Sequence, residues 1–176
     1  MFPVSPENTR RHVTGAGIGL LLTALLLASL AFMPQAKAFE PEAKVVYHAD
    51  FADPRRFSAM LTSINNMMTH YQNEFIDADV RIVFVAHGIR FLTDDDLADT
   101  PFEADEELKE ERDTLRGRLM SLASTHGVKL ELCEITRSQI GLDEDLIYDH
   151  VNFVPSGVVR VAELQNEEGF AYIKIE

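Results

Sequence analysis

Arg81-Ile82-Val83-Phe84-Val85-Ala86-His87-Gly88 is the stretch whose reading decides the fold. Its apolar run, Ile82 to Ala86, is unbroken between an arginine and a histidine-glycine pair. A strand with one wet face alternates polar and apolar residues, whereas an unbroken run suits a central parallel strand covered on both faces. Upstream, Lys44-Val45-Val46-Tyr47-His48 reads as a second strand. Asp53-Pro54 follows it as a helix N-cap with proline at the first helical position. Phe57, Met60, Leu61, Ile64, Met67, Met68, Tyr71 and Phe75 then recur at helical spacing, which predicts one apolar face whose methionines belong to the core.

Downstream, Thr93 to Glu111 is crowded with carboxylates and contains Pro101, the composition of a solvated loop leading into a helix. The ordered spacing and turn glycine of a calcium loop are missing from it. Leu108, Leu115, Leu119 and Leu122 continue as an amphipathic helix that stops at His126-Gly127, where glycine suits a C-terminal cap. In Val128 to Cys133 apolar and polar positions alternate, so Cys133 shares its parity with Lys129 and Glu131 on the wetter face of a strand. A short helical turn is predicted over Thr136 to Ile140, and a strand over Val151 to Val154. Pro155-Ser156-Gly157 opens a helix through about Gln165, and Gly169 starts the last strand, Phe170 to Ile175. Strands and helices in alternation predict an α/β fold, a three-layer α/β/α arrangement around a mainly parallel five-stranded sheet.

The N-terminus has a different character. Arg10, Arg11 and His12 precede a run from Val13 to Met33 without a charged residue, followed by Ala36-Lys37-Ala38. A basic segment, an apolar segment and a small-x-small triplet predict a signal peptide over residues 1–38, cleaved before Phe39. The run is also long enough to span a bilayer, which leaves an uncleaved anchor as the alternative. The arginine pair partly matches a twin-arginine signal but lacks its usual serine and phenylalanine, so the general export route is expected. This predicts a periplasmic protein with a single domain over residues 39–176.

Removing Arg10, Arg11, Lys37 and Glu7 leaves 13 basic and 28 acidic residues, a net charge of −15. Such a balance repels phosphate backbones and argues against nucleic-acid binding. A single cysteine excludes an intramolecular disulfide.

Ligands of open parallel sheets bind beyond the carboxyl ends of the strands. This chain places His48, His87-Gly88, Cys133 and Pro155-Ser156-Gly157 there. Cys133 is the strongest candidate, because it precedes a turn whose backbone N–H groups are able to stabilise a thiolate. Glu131 and Glu134 oppose ionisation of the thiol and Arg137 favours it. His48 and His87 are candidates for binding or for simple hydrogen bonding to a loop, and Ser156 for an anion contact or a helix cap. His48, His87 and Cys133 also carry the donor types that zinc accepts, although no spacing motif joins them. No Walker loop, dinucleotide fingerprint or serine elbow is present.

Taken in order, Lys44–His48, Val83–Gly88, Leu130–Cys133, Val154–Gly157 and Gly169–Lys174 resemble the DsrE/DsrF-like family over about Lys44 to Ile175. The resemblance implies a compact α/β/α domain, commonly assembled as a homo-oligomer, a trimer or hexamer. It also implies a role in sulfur relay, with Cys133 at the position of the cysteine that carries sulfane sulfur as a persulfide. Partners would then be sulfur donors and acceptors, either proteins or small thiols, and no cofactor is needed. A non-catalytic module holding a small ligand or metal at the strand ends is the competing expectation.

Overall fold

The structure is a computed structural model that describes Glu40–Glu176. The expected signal peptide lies outside the described residues. In chain order the elements are β1 (Ala43–Ala49), α1 (Pro54–Asn73), β2 (Ala78–Phe84), a 3₁₀ segment (Ala86–Phe91) and α2 (Glu106–His126). They continue as β3 (Lys129–Cys133), α3 (Glu134–Gln139), a 3₁₀ turn (Glu144–Leu146), β4 (Val151–Val154), α4 (Gly157–Asn166) and β5 (Ala171–Ile173). The five strands lie in the order β4-β3-β2-β1-β5, and every strand pair is parallel.

That order determines where the helices fall. From β1 to β4 the chain steps in one direction across the sheet, and right-handed crossovers then place α1 and α2 on the same face. The return from β4 to β5 crosses the whole sheet the other way and puts α4 on the opposite face. Two apolar clusters reflect this division. The larger joins Tyr47, Ile82, Phe84 and Leu130 to Phe57, Ile64, Leu115 and Leu119. The smaller contains only Val46, Val83, Val161, Leu164 and Phe170, with Val85 packed against it.

The helix ends follow local chemistry. Asp53 accepts from the Arg55 and Arg56 N–H groups at the start of α1. Asp105 does the same for Leu108 at the start of α2. Gly127, at φ 70°, closes α2 in the left-handed conformation open to glycine. In the core, Phe57 stacks on Phe91 with ring centroids 4.1 Å apart.

Three expectations need correction. The central strand runs over Ala78–Phe84 rather than continuing to Ala86, because Ala86 turns to φ 49° and starts the 3₁₀ segment. Phe75 does not belong to the apolar face of α1: the helix ends at Asn73, and Phe75 sits beyond it at φ 57°, 94% exposed. The acidic stretch is not solvated throughout. Thr93, Leu97, Ala104 and Leu108 are buried, and the buried Arg90 guanidinium donates to the Glu103 carbonyl and pairs with Asp105 at 3.2 Å.

The 3₁₀ segment crosses so close to β1 that a Cβ on Gly88 would lie 2.0 Å from the Ala49 carbonyl oxygen. Gly88→Ala is expected to destabilise the protein by about 1–3 kcal/mol or more, since backbone has to move to admit it. Urea unfolding checks this by a lowered midpoint at unchanged slope. A midpoint equal to that of the wild type would show that the crossing relaxes freely.

Candidate functional site

Cys133 is the last residue of β3, 4% exposed, and the N-cap of α3. The strand delivers it to the carboxyl edge of the sheet on the face covered by α4, since its register partner is Val154 and Glu131 precedes it with the same parity. Two helix starts converge on its sulfur. α3 starts at the very next residue, and α4 starts at Gly157, whose Cβ would lie 3.0 Å from Cys133 Cβ, while the cysteine side chain makes no capping hydrogen bond of its own. Burial pushes the Cys133 thiol up. The pull of the nearby N–H groups of Gly157, Thr136 and Ile135 outweighs it, so the thiol ionises below its ordinary value.

Two details orient this arrangement. The Thr136 hydroxyl oxygen accepts from the Ala86 N–H at 3.0 Å, which leaves its own proton for the sulfur. Ala86 holds φ 49°, a conformation that L-residues adopt at a cost, to bring its N–H there. On the other side, a Cβ on Gly157 would lie 2.5 Å from Val85 Cγ2 and 3.0 Å from Cys133 Cβ. Only glycine lets α4 start this close to the cysteine.

Both carboxylates near the thiol are neutralised. Glu134 accepts from Arg137 Nε at 3.0 Å, as its position one turn away on α3 suggests. Glu131 has partners that the sequence reading missed: Arg81 Nη1 at 2.9 Å and Arg160 Nε at 3.0 Å. The pairing extends from Arg81 to Asp79 at 2.7 Å, from Asp79 to Lys129 at 2.8 Å, and from Arg160 to Glu168 at 2.7 Å. These six groups, three of each sign, make a balanced network on the α4 face. Glu131 is buried in it and Asp79 half-buried, as carboxylates are when well paired.

The other candidates sit at or just beyond the ends of the neighbouring strands. His48 is on β1, and β2 separates it from β3, a spacing of roughly 10 Å between strand axes. Its ring meets Tyr172 edge-on at 6.4 Å, beside the point where the strand order reverses. His87 lies in the 3₁₀ segment with its ring against Phe102 at 5.3 Å. One buried nitrogen of each, His48 Nε2 and His87 Nδ1, lacks a protein hydrogen-bond partner. Ser156 is the N-cap of α4 and accepts from Val159 N–H at 3.5 Å, a capping role. Among the described residues no group of three or more His, Cys, Asp or Glu is placed to hold a metal ion. His48, His87 and Cys133 therefore do not form the three-ligand site their chemistry suggested.

The fold is thus a parallel α/β domain with a single cysteine at a strand end, between the starts of two helices. The chain is a member of the DsrE/DsrF-like family, whose family model matches residues 43–175. Among solved structures it is similar to the protein of unknown function MTH1491 from Methanobacterium thermoautotrophicum, with 24% sequence identity and a TM-score of 0.58. That match covers 76% of this chain and 99% of the other and is a likeness of fold. No curated protein matches the sequence.

Thr136→Val removes one donor from the sulfur, and Gly157→Ala forces α4 away from it. Both are expected to raise the Cys133 pKa and to slow iodoacetamide alkylation near neutral pH by several-fold up to about tenfold. The folded thiol ionises at lower pH than the unfolded one. Its ionisation therefore stabilises the fold above the ordinary thiol value, and that contribution is lost as pH falls through the folded value. Alkylation rates of each variant against pH check the prediction, and profiles that coincide with the wild type would refute it.

Proposed function

We propose that this protein is an exported DsrE-like sulfur carrier in which Cys133 holds sulfane sulfur as a persulfide in sulfur metabolism. The observation that carries the reading is the placement of the buried Cys133 at the end of β3, between the start of α3 and the close approach of Gly157 at the start of α4. That environment favours a thiolate, the form that attacks sulfane sulfur. In the first step the Cys133 thiolate attacks the outer sulfur of a donor persulfide. A sulfur–sulfur bond forms at Cys133, the donor's own sulfur–sulfur bond breaks, and the donor leaves as a thiolate. An acceptor thiolate then attacks the outer sulfur and Cys133 departs as thiolate again. No net oxidant or reductant is consumed, and the cage that stabilises the attacking thiolate also stabilises the leaving one.

Membership of a family linked to sulfur relay supports this reading. The basic, apolar and small-x-small pattern over residues 1–38 supports export to the periplasm. Homo-oligomeric assembly is part of the same proposal, supported by the exposed apolar side chains Val158 and Val159 on α4 and Tyr172 on β5.

The unpartnered ring nitrogens of His48 and His87 favour a second reading, a module that holds a small ligand at the strand ends with Cys133 inert. The two readings separate on Cys133→Ser, which abolishes sulfur carriage and leaves ligand binding intact.

Incubation of the purified protein with polysulfide is expected to add the mass of sulfur atoms to the wild type, reversibly by cyanide, and to leave Cys133→Ser unchanged. A wild-type protein that alkylates readily and yet gains no cyanide-labile mass would sink the carrier reading. In a bacterial host with an export pathway, N-terminal sequencing of the mature protein is expected to begin at Phe39. Retention of Met1 in a membrane fraction would replace the signal peptide with an anchor.

A further inference from the structure

α4 is ten residues long and rests on the sheet through Val161, Leu164 and the following Phe170. None of these lies in its first turn, which carries the donor closest to the chemistry. That turn instead exposes Val158 and Val159 to solvent at 63% and 52%. Its internal tie is the Arg160 N–H donating to the Ser156 carbonyl at 2.9 Å. Beyond the packing of the buried Gly157 on Val83, Val85 and Cys133, the turn's side-chain tie to the sheet is Arg160, through Nε to Glu131 Oε2 at 3.0 Å and through Nη1 to Glu168 Oε1 at 2.7 Å. Glu131 stands two residues before Cys133 on the same face of β3, and Glu168 lies just beyond the end of α4. One guanidinium thus joins the strand that bears the cysteine to both ends of the helix that caps it.

We propose that Arg160 is a positioning residue for Cys133: its hold on Glu131 and Glu168 fixes the first turn of α4 so that the Gly157 N–H stays against the sulfur. The inference rests on the reading of Cys133 as a sulfur-carrying thiolate and adds the part that keeps the cage closed. A planar guanidinium suits the task because it donates in two directions at a fixed angle, which an ammonium does not. The charged groups near the thiol are Glu131 on its own strand, Arg81 on β2, Glu134 and Arg137 on α3, and Arg160 on α4. Arg81 remains on Glu131 when Arg160 is removed, so that carboxylate keeps one cation. The principal loss is then of position.

The test compares pH profiles of Cys133 alkylation by iodoacetamide in the wild type and in Arg160→Met, Arg160→Lys, Lys129→Met and the double variant Glu131→Gln/Arg160→Met. Polysulfide loading is measured alongside. Arg160→Met is expected to shift the profile upward by about one unit, which slows alkylation about tenfold below the midpoint. Arg160→Lys, which keeps the charge and loses the fork, is expected to lie between it and the wild type. Lys129→Met, at the far end of the network, is expected to leave the profile unmoved. The double variant distinguishes position from charge: a brace that is lost stays lost, so its profile remains with Arg160→Met.

An Arg160→Met profile that superimposes on the wild type, with only thermal stability reduced, would overturn the proposal. So would a double variant that returns to the wild-type profile, because Arg160 would then act only as a counter-charge. Should Arg160→Met fail to fold, Arg160→Lys decides by the same shift, and an unshifted profile overturns the proposal. If the wild type alkylates as a low-pKa thiol and takes no sulfur, the carrier reading fails, while the alkylation profiles still decide the role of Arg160.

Discussion

Among the described residues, one helix of ten residues covers a face of a five-stranded parallel sheet. Everything distinctive about this domain follows from that constraint. α1 and α2 divide the other face between them and supply most of the core, whereas the apolar cluster under α4 contains five buried residues. Too little hydrophobic surface is available there to seat the helix by burial alone. Polar groups fill the remainder of the face, and the carboxylate buried among them, Glu131, has to be paired. The ion network of Asp79, Arg81, Lys129, Glu131, Arg160 and Glu168 is the result.

The same constraint builds the site. A helix held close to the sheet at its start needs a residue without a side chain at the contact, and Gly157 provides it beside Val83, Val85 and Cys133. The cysteine then meets N–H groups from two directions, its own helix start and that of α4. Burial alone makes a thiol inert. Here burial and donor convergence oppose each other, and the donors prevail.

Much of this was legible in the sequence, and what was not has identifiable physical causes. The run Ile82 to Ala86 announced a strand covered on both faces, and β2 does occupy the centre of the sheet. The strand nevertheless ends earlier, because the left-handed turn at Ala86 is dictated by a hydrogen bond to Thr136, fifty residues away in the chain. Parity placed Cys133 with Lys129 and Glu131 on one face, since a period of two is local information, but that face is not the wetter one, because Glu131 and Cys133 are both buried. The partners of Glu131 are not local. Arg81 lies 50 positions before it and Arg160 lies 29 after it, so only the strand order brings them together. Gly157 was readable as the opening of a helix but not as a contact, because Val83 lies on β2 and Val85 just beyond its end, both far away in the chain. Phe75 fitted the helical period by spacing alone, yet the helix had already ended.

The balance of the network bears on how the site behaves in solution. Three acids and three bases cancel, so the field at the sulfur is set mainly by backbone dipoles held in place beneath the surface. Buried dipoles of this kind are little screened by dissolved ions. The excess negative charge of the chain resides on exposed side chains, where screening is strong. Ionic strength therefore separates two stages of the same event: it alters how readily an anionic donor reaches this protein, and it leaves the reactivity of the sulfur that receives it nearly unchanged.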